Sequence, residues 1–147
     1  LHLPVQSGSS AILFKMNRHY DSKHYMSIIR KVKRAIPNIS LSTDIIVGFP
    51  GETYEEFLDT LSLVKEVRYG SMFTFIYSPR VGTPAAKMKD NVSMETKKQR
   101  FNKLTAVIAK NELEKYKTFE NKIKKFTQKF THVLKCVNFC VIILGRD

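Results

Sequence analysis

The chain has 147 residues, 43% of them hydrophobic, and a formal net charge of +12. That length and apolar fraction suffice for one domain with a core and exclude a disordered chain. Two cysteines are too few for a disulfide scaffold and fit a reducing compartment. The charge is uneven: residues 93–147 carry 13 Lys and Arg against 5 acids, whereas residues 51–92 carry 5 against 6. Such an excess permits a polyanionic partner such as RNA, although a solvated lysine face is the simpler account of charge alone.

Leu1 is not a methionine, and an extended pattern begins at once, so a piece of a longer polypeptide is expected. No stretch reads as a signal peptide or is long enough to span a bilayer. The longest apolar run, Val133 to Leu144, is interrupted by Lys135 and Asn138 and reads as a buried strand.

In chain order, Leu1 to Gln6 is a short extended segment that Pro4 makes irregular or ends near Val5. Ala11 to Met16 forms a helical turn. A helix follows from about Ser22 to Ile36, with Tyr25, Ile28, Ile29, Val32, Ala35 and Ile36 on one face and Pro37 as its stop. Lys23, Arg30, Lys31, Lys33 and Arg34 lie on its solvated face.

The stretch from Ile39 to Val47 alternates at period two, the pattern of a strand with unlike faces. Ile39, Leu41, Thr43, Ile45 and Val47 can pack on helices. Ser40, Ser42, Asp44 and Ile46 form a mostly small, polar face suited to a polar ligand. A turn with Gly48 and Gly51 follows, and then Thr53-Tyr54-Glu55-Glu56 reads as a capping box opening a helix to about Arg68. Phe57, Leu58, Leu61, Val64 and Val67 make its expected stripe, with Gly70 just past its end.

Ser71 to Tyr77 is a third strand. A long loop runs from Ser78 to Val92, and loops of that length after a strand often carry function. Ser93 caps a last helix with the stripe Phe101, Leu104 and Ile108, whose pattern degrades beyond Lys110. Three strands separated by helices predict an α/β fold with a parallel sheet. Ligands in such folds sit at the carboxyl ends of the strands, where Asp44 and the Gly48 turn fall.

Single motifs are weak here. Gly48-Phe49-Pro50-Gly51-Glu52 lacks the Lys-Ser/Thr of a phosphate loop. Asp44 reads either as a buried structural acid or as a ligand-binding group. Arg80 is either a surface arginine or a partner for a carboxylate. His2, His19, His24 and His132 show no metal spacing. Cys136 and Cys140, set among apolar neighbours, read as two buried thiols.

Taken in order, Leu1 to Ser9, Met16-Asn17-Arg18, Ser42 to Thr53 and Tyr77 to Ala86 resemble the radical S-adenosylmethionine methylthiotransferases, in the branch that modifies N6-isopentenyladenosine 37 of tRNA. The likeness covers about residues 1–110. It implies the C-terminal half of an incomplete (βα)6 TIM-like radical SAM barrel, namely its last three strand–helix units and a following helix. Residues 111–147 form a divergent, basic, Lys-rich tail, read as divergent or frameshifted from Glu112, that does not continue toward the family's RNA-binding TRAM domain.

The family adds a methylthio group to C2 of the adenosine. A 4Fe-4S cluster cleaves S-adenosylmethionine to a 5′-deoxyadenosyl radical, an auxiliary cluster handles sulfur, and a second S-adenosylmethionine supplies the methyl group. The cluster-binding Cys-x3-Cys-x2-Cys motif is not in this chain, so no residue is assigned a catalytic or metal-ligating role, and the chain alone is expected to be inactive.

The resemblance implies S-adenosylmethionine contacts from Gln6 and Ser7 after the first strand, from Asp44, Gly48 and Phe49 at the second, and from Arg80 after the third. It also implies a tRNA anticodon stem–loop and a cluster reductant as partners, with a cytoplasmic, monomeric, membrane-free enzyme as the parent. The rival readings are the threonylcarbamoyl-adenosine branch of the family and a non-catalytic basic RNA-binding remnant. The ribosomal-protein branch is more distant, because it tends to carry an acid where Arg80 stands.

Overall fold

Strand β1 (Ser42–Val47) begins three residues after the expected Ile39 and keeps the two-faced pattern over its length. Leu41, Thr43, Ile45 and Val47 are buried, while Ser42, Asp44 and Ile46 are half-buried. This computed structural model describes residues 1–117. Cys136, Cys140, the run from Val133 to Leu144 and nearly all of the expected tail lie outside the described residues.

β1 pairs in parallel with β2 (Ser71–Ile76), in a register that sets Asp44 beside Phe73 and Ile46 beside Phe75. On the opposite edge of β1, Leu1–Gln6 runs parallel but makes only two bridges, His2 with Ser42 and Gln6 with Ile45. Pro4 has no N–H, and Val5 N–H donates to the Thr43 side chain (3.0 Å) rather than to a carbonyl. The expected first strand is therefore a broken one.

Helix α1 (Ser10–Lys15) follows this segment, and α2 (Ser22–Ala35) is capped by the Asp21 carboxylate, which accepts the His24 N–H at 2.7 Å. Tyr25 and Ile29 of α2 are buried. Ala35 and Ile36, expected on the same face, are exposed at the end of the helix, where Ala35 is the last helical residue and Ile36 the cap. The cationic face is not wholly solvated: Arg30 pairs with Glu66, and Lys33 Nζ donates to the Val67 carbonyl (2.6 Å) at the negative end of a neighbouring helix.

That neighbour, α3 (Tyr54–Val67), opens with the predicted capping box: Thr53 Oγ1 accepts Glu56 N–H and Glu56 Oε2 accepts Thr53 N–H. Its buried face is Phe57, Thr60, Leu63, Val64 and Val67. Leu58 is exposed and Leu61 only half-buried, so the expected stripe is corrected at two positions. Thr60 takes an inward place because it meets hydrogen-bonding groups of the Ser7–Gly8 turn. The left-handed residue that ends α3 is Arg68 (φ 53°), not Gly70, whose N–H instead donates to Leu41 O.

Helix α4 (Met94–Lys117) is capped by Ser93 and packs Leu104 and Ile108 into the core. It continues past Lys110, where the apolar pattern fades, since Lys, Glu and Leu sustain a helix without it. Glu114 also pairs with Arg68. The main core joins Val5, Ile29, Ile45, Phe57, Val64 and Leu104, each excluded from water and contributing about 1.5–3 kcal/mol if large. A smaller cluster of Ile12, Phe49 and Tyr77 lies around the glycine turn. The described residues are thus α/β with a small parallel sheet, and no helix among them is long and apolar enough to cross a membrane.

Candidate functional site

Backbone bonds set the three carboxyl ends side by side. Gln6 N–H donates to Asp44 O, Ile46 N–H to Gln6 O and Tyr77 N–H to Val47 O, each at 2.9 Å. Gln6 then adopts a left-handed φ of 70°, which turns the chain out of the sheet at this edge.

Ser7, expected to reach a ligand, is fully buried. Its hydroxyl lies 3.2 Å from Thr60 Oγ1 and accepts Ser9 N–H. Gly8 N–H donates to Thr60 Oγ1 at 2.9 Å, and a Cβ on Gly8 would come within 2.5 Å of Thr60 Cα. Ser7 and Gly8 therefore dock the start of α1 on α3.

Asp44 sits on the half-buried face of β1 with Oδ2 3.5 Å from His2 Nε2, while His2 Nδ1 is 2.9 Å from Ser42 Oγ. Across the pair on this same face stand Phe73 and Phe75, both about half exposed. His2, Phe73 and Phe75 were not among the expected site residues. The alternation of Phe73 and Phe75 with Met72, Thr74 and Ile76 could have shown that the two rings share a face, but only the pairing with β1 sets them beside Asp44.

The glycine turn is held from within. Gly48, at φ 71°, donates its N–H to Glu52 Oε2 at 2.8 Å. The same oxygen accepts Arg100 Nη1 at 2.6 Å, and Arg100 also donates to the Glu52 carbonyl. Glu52 and Arg100 are both almost fully buried. Burial pushes the Glu52 carboxyl above the ordinary glutamate range, and the Gly48 N–H and Arg100 offset part of that rise. Phe49 packs edge-on to Tyr77, with ring centres 5.1 Å apart. Lys97 is buried too: its ammonium lies 5.3 Å from the Tyr77 ring centre and 2.5 Å from Asp90.

The long loop returns to this turn, because Asn91 Oδ1 accepts Gly51 N–H at 2.9 Å. Arg80 is exposed at the other end of the loop, where its carbonyl accepts the Thr83 N–H and hydroxyl. Gln6, Asp44, Gly48 and Phe49 are thus brought to one edge. Among the described residues no hydrogen bond or ion pair links the Arg80 side chain to them. Lys97 and Arg100 escaped the sequence reading, and Glu52 entered it only as a member of the glycine-turn motif, since a buried charge leaves no local pattern.

On this face the Asp44 carboxylate stands beside two half-exposed rings, which suits a ligand with hydrogen-bond donors and an aromatic or apolar part. Among the described residues no group of three or more His, Cys, Asp or Glu is placed to hold a metal ion.

Residues 1–64 match the sequence model of the Radical SAM superfamily. Over that stretch the chain belongs to the radical SAM superfamily. It is similar to the tRNA-2-methylthio-N(6)-dimethylallyladenosine synthase of Clostridium botulinum strain Langeland, at 58% identity over 125 residues, which are 85% of this chain and 28% of that protein. The synthases of the same name from Bacillus subtilis strain 168 and Bacillus cereus strain AH187 are 58% and 56% identical over 123 residues, 84% of this chain and 24% of each protein. The chain spans about a quarter of the length of these curated relatives.

Proposed function

We propose that this chain is part of a tRNA methylthiotransferase that adds a methylthio group to C2 of N6-isopentenyladenosine 37 by radical S-adenosylmethionine chemistry. The observation that carries this is the 58% identity over 123 to 125 residues to synthases named for that nucleoside. In that role the chain supplies three neighbouring staves of an incomplete (βα)6 barrel, with the exposed face of β1 and β2 turned to its lumen.

S-adenosylmethionine, when bound, supplies the radical precursor and the methyl group. Asp44 accepts hydrogen bonds from its ribose hydroxyls or ammonium, and Gln6 presents its amide at the same edge. Arg80 receives the carboxylate, as a planar guanidinium does well. The backbone around Gly48 and Phe49 lies against the adenine, while Phe49 itself, packed on Tyr77, sets the shape of the turn. Ser7 acts at one remove, by fixing Gln6 against α3.

No residue of this chain is assigned to a 4Fe-4S cluster; in the parent enzyme such clusters would supply the electron and the sulfur. The enzyme works as a cytoplasmic monomer on the anticodon stem–loop, with a cluster reductant.

Profiling tRNA nucleosides in a strain lacking the gene tests this. Loss of the 2-methylthio form with accumulation of N6-isopentenyladenosine is the expected result. Loss of the methylthio group from threonylcarbamoyladenosine instead would move the enzyme to the sister branch, and an unchanged profile would sink both.

A further inference from the structure

Between α1 and the start of α2 lies an open depression of about 500 Å³, walled by Phe14, Arg18, His19, Tyr20, Asp21 and His24. Its floor is preformed by local hydrogen bonds. α1 buries Ile12 and Leu13 and so turns Phe14 outward, where 83% of it is exposed. Asn17 takes a left-handed φ of 57°, and its N–H and that of Arg18 close the helix on Phe14 O and Leu13 O. The chain therefore doubles back and brings Arg18 to Asp21 beside Phe14. Ser10 and Ser22 join the two sides, with hydroxyls 2.8 Å apart. Tyr20 is pinned as a wall by its hydroxyl, which donates to Val5 O at 3.1 Å.

The chemistry of the walls is one-sided. Asp21 is the only acid, and its carboxylate already accepts the His24 N–H as a helix cap. The remaining polar walls are the guanidinium of Arg18, two exposed imidazoles and the hydroxyls of Ser10 and Tyr20, with Lys23 next to His24 in sequence. An outward phenyl ring flanked by cationic and hydrogen-bonding groups, on a floor that needs no ordering, matches an unpaired nucleotide: the base stacks on the ring and its phosphate meets the cations. An acidic protein segment would use the cations but leave the ring without a partner.

We infer that this depression is a second RNA subsite, in which Phe14 stacks a single-stranded base and Arg18 contacts a phosphate, next to the nucleotide being modified. The placement rests on the tRNA reading above: Tyr20, a wall of the depression, bonds to Val5 O, one residue before Gln6, on the segment whose end faces the adenosine in that reading.

The test uses the complete polypeptide that contains this chain and an anticodon stem–loop RNA, with affinity read by fluorescence anisotropy at several salt concentrations. Phe14→Ala weakens binding about tenfold or more, Phe14→Tyr keeps it, and melting temperature is unchanged in both. Arg18→Ala lowers the slope of log affinity against log salt by about one. A fully paired RNA duplex shows no response to Phe14→Ala, since it offers no unstacked base.

Unchanged stem–loop affinity in Phe14→Ala and Arg18→Ala overturns the subsite while leaving the tRNA reading standing. A lowered melting temperature in Phe14→Ala with unchanged affinity also overturns it, because another part of the polypeptide then covers the ring. Failure of the unaltered protein to bind the stem–loop at all removes both.

Discussion

Arg100, on α4, holds Glu52, at the end of the glycine turn, through two hydrogen bonds from one nitrogen: 2.6 Å to Oε2 and 3.0 Å to the main-chain oxygen. Because Glu52 Oε2 also accepts Gly48 N–H, the guanidinium fixes a carboxylate that in turn fixes the turn. Arg100 lies outside residues 1–64, which match the superfamily, yet the shape of the turn depends on it.

Removing one partner of this buried pair leaves a charge without compensation. Arg100→Met is expected to destabilise the protein by about 3–5 kcal/mol at neutral pH, and adding Glu52→Gln to recover part of that loss. Urea unfolding of the two single variants and the double variant measures it. Equal losses in Arg100→Met and in the double variant would show that packing, not charge, holds the turn.

The pH dependence follows from the raised Glu52 carboxyl. A folded-state value above the unfolded one makes this group's contribution complete below the ordinary glutamate value of 4.5, and lost as pH rises through the folded value. The urea midpoint of the natural protein relative to Glu52→Gln should therefore shrink from pH 4.5 to pH 7. A difference that widens over that window would mean that Arg100 outweighs burial.

Gly48 is required on two grounds. Its φ of 71° disfavours any Cβ, and a Cβ there would stand 2.3 Å from Lys97 Cγ. Gly48→Ala should cost about 1–3 kcal/mol. Adding Lys97→Ala should restore some of that, because it removes the clash and leaves the φ strain. Thermal melts of the double-mutant cycle give the coupling, and strict additivity would place the whole effect in the backbone.

Arg80 is exposed, so its loss should not disturb the fold. In the complete enzyme Arg80→Ala is expected to weaken S-adenosylmethionine binding about tenfold with an unchanged melting temperature, and Arg80→Lys to restore only part of it. Calorimetric titration reads both. Unaltered affinity would take Arg80 out of the site.

Local pattern was enough for β1, whose alternation from Leu41 to Val47 became its burial, and for the Thr53 capping box and the Pro37 stop. Each of these depends on residues within a turn or two of one another, where stereochemistry acts without knowledge of the fold. The same strand pattern set Asp44 and the Gly48 turn toward the carboxyl end of β1, where the structure has them.

Tertiary structure alone decided that Thr60 faces inward to meet Ser7 and Gly8, that Phe73 and Phe75 share a face with Asp44, and that Arg100 reaches Glu52 across 48 positions. Those pairings are between groups distant in sequence. A buried hydroxyl or charge is tolerated only where its partner arrives, and the partner's arrival is a property of the assembled chain.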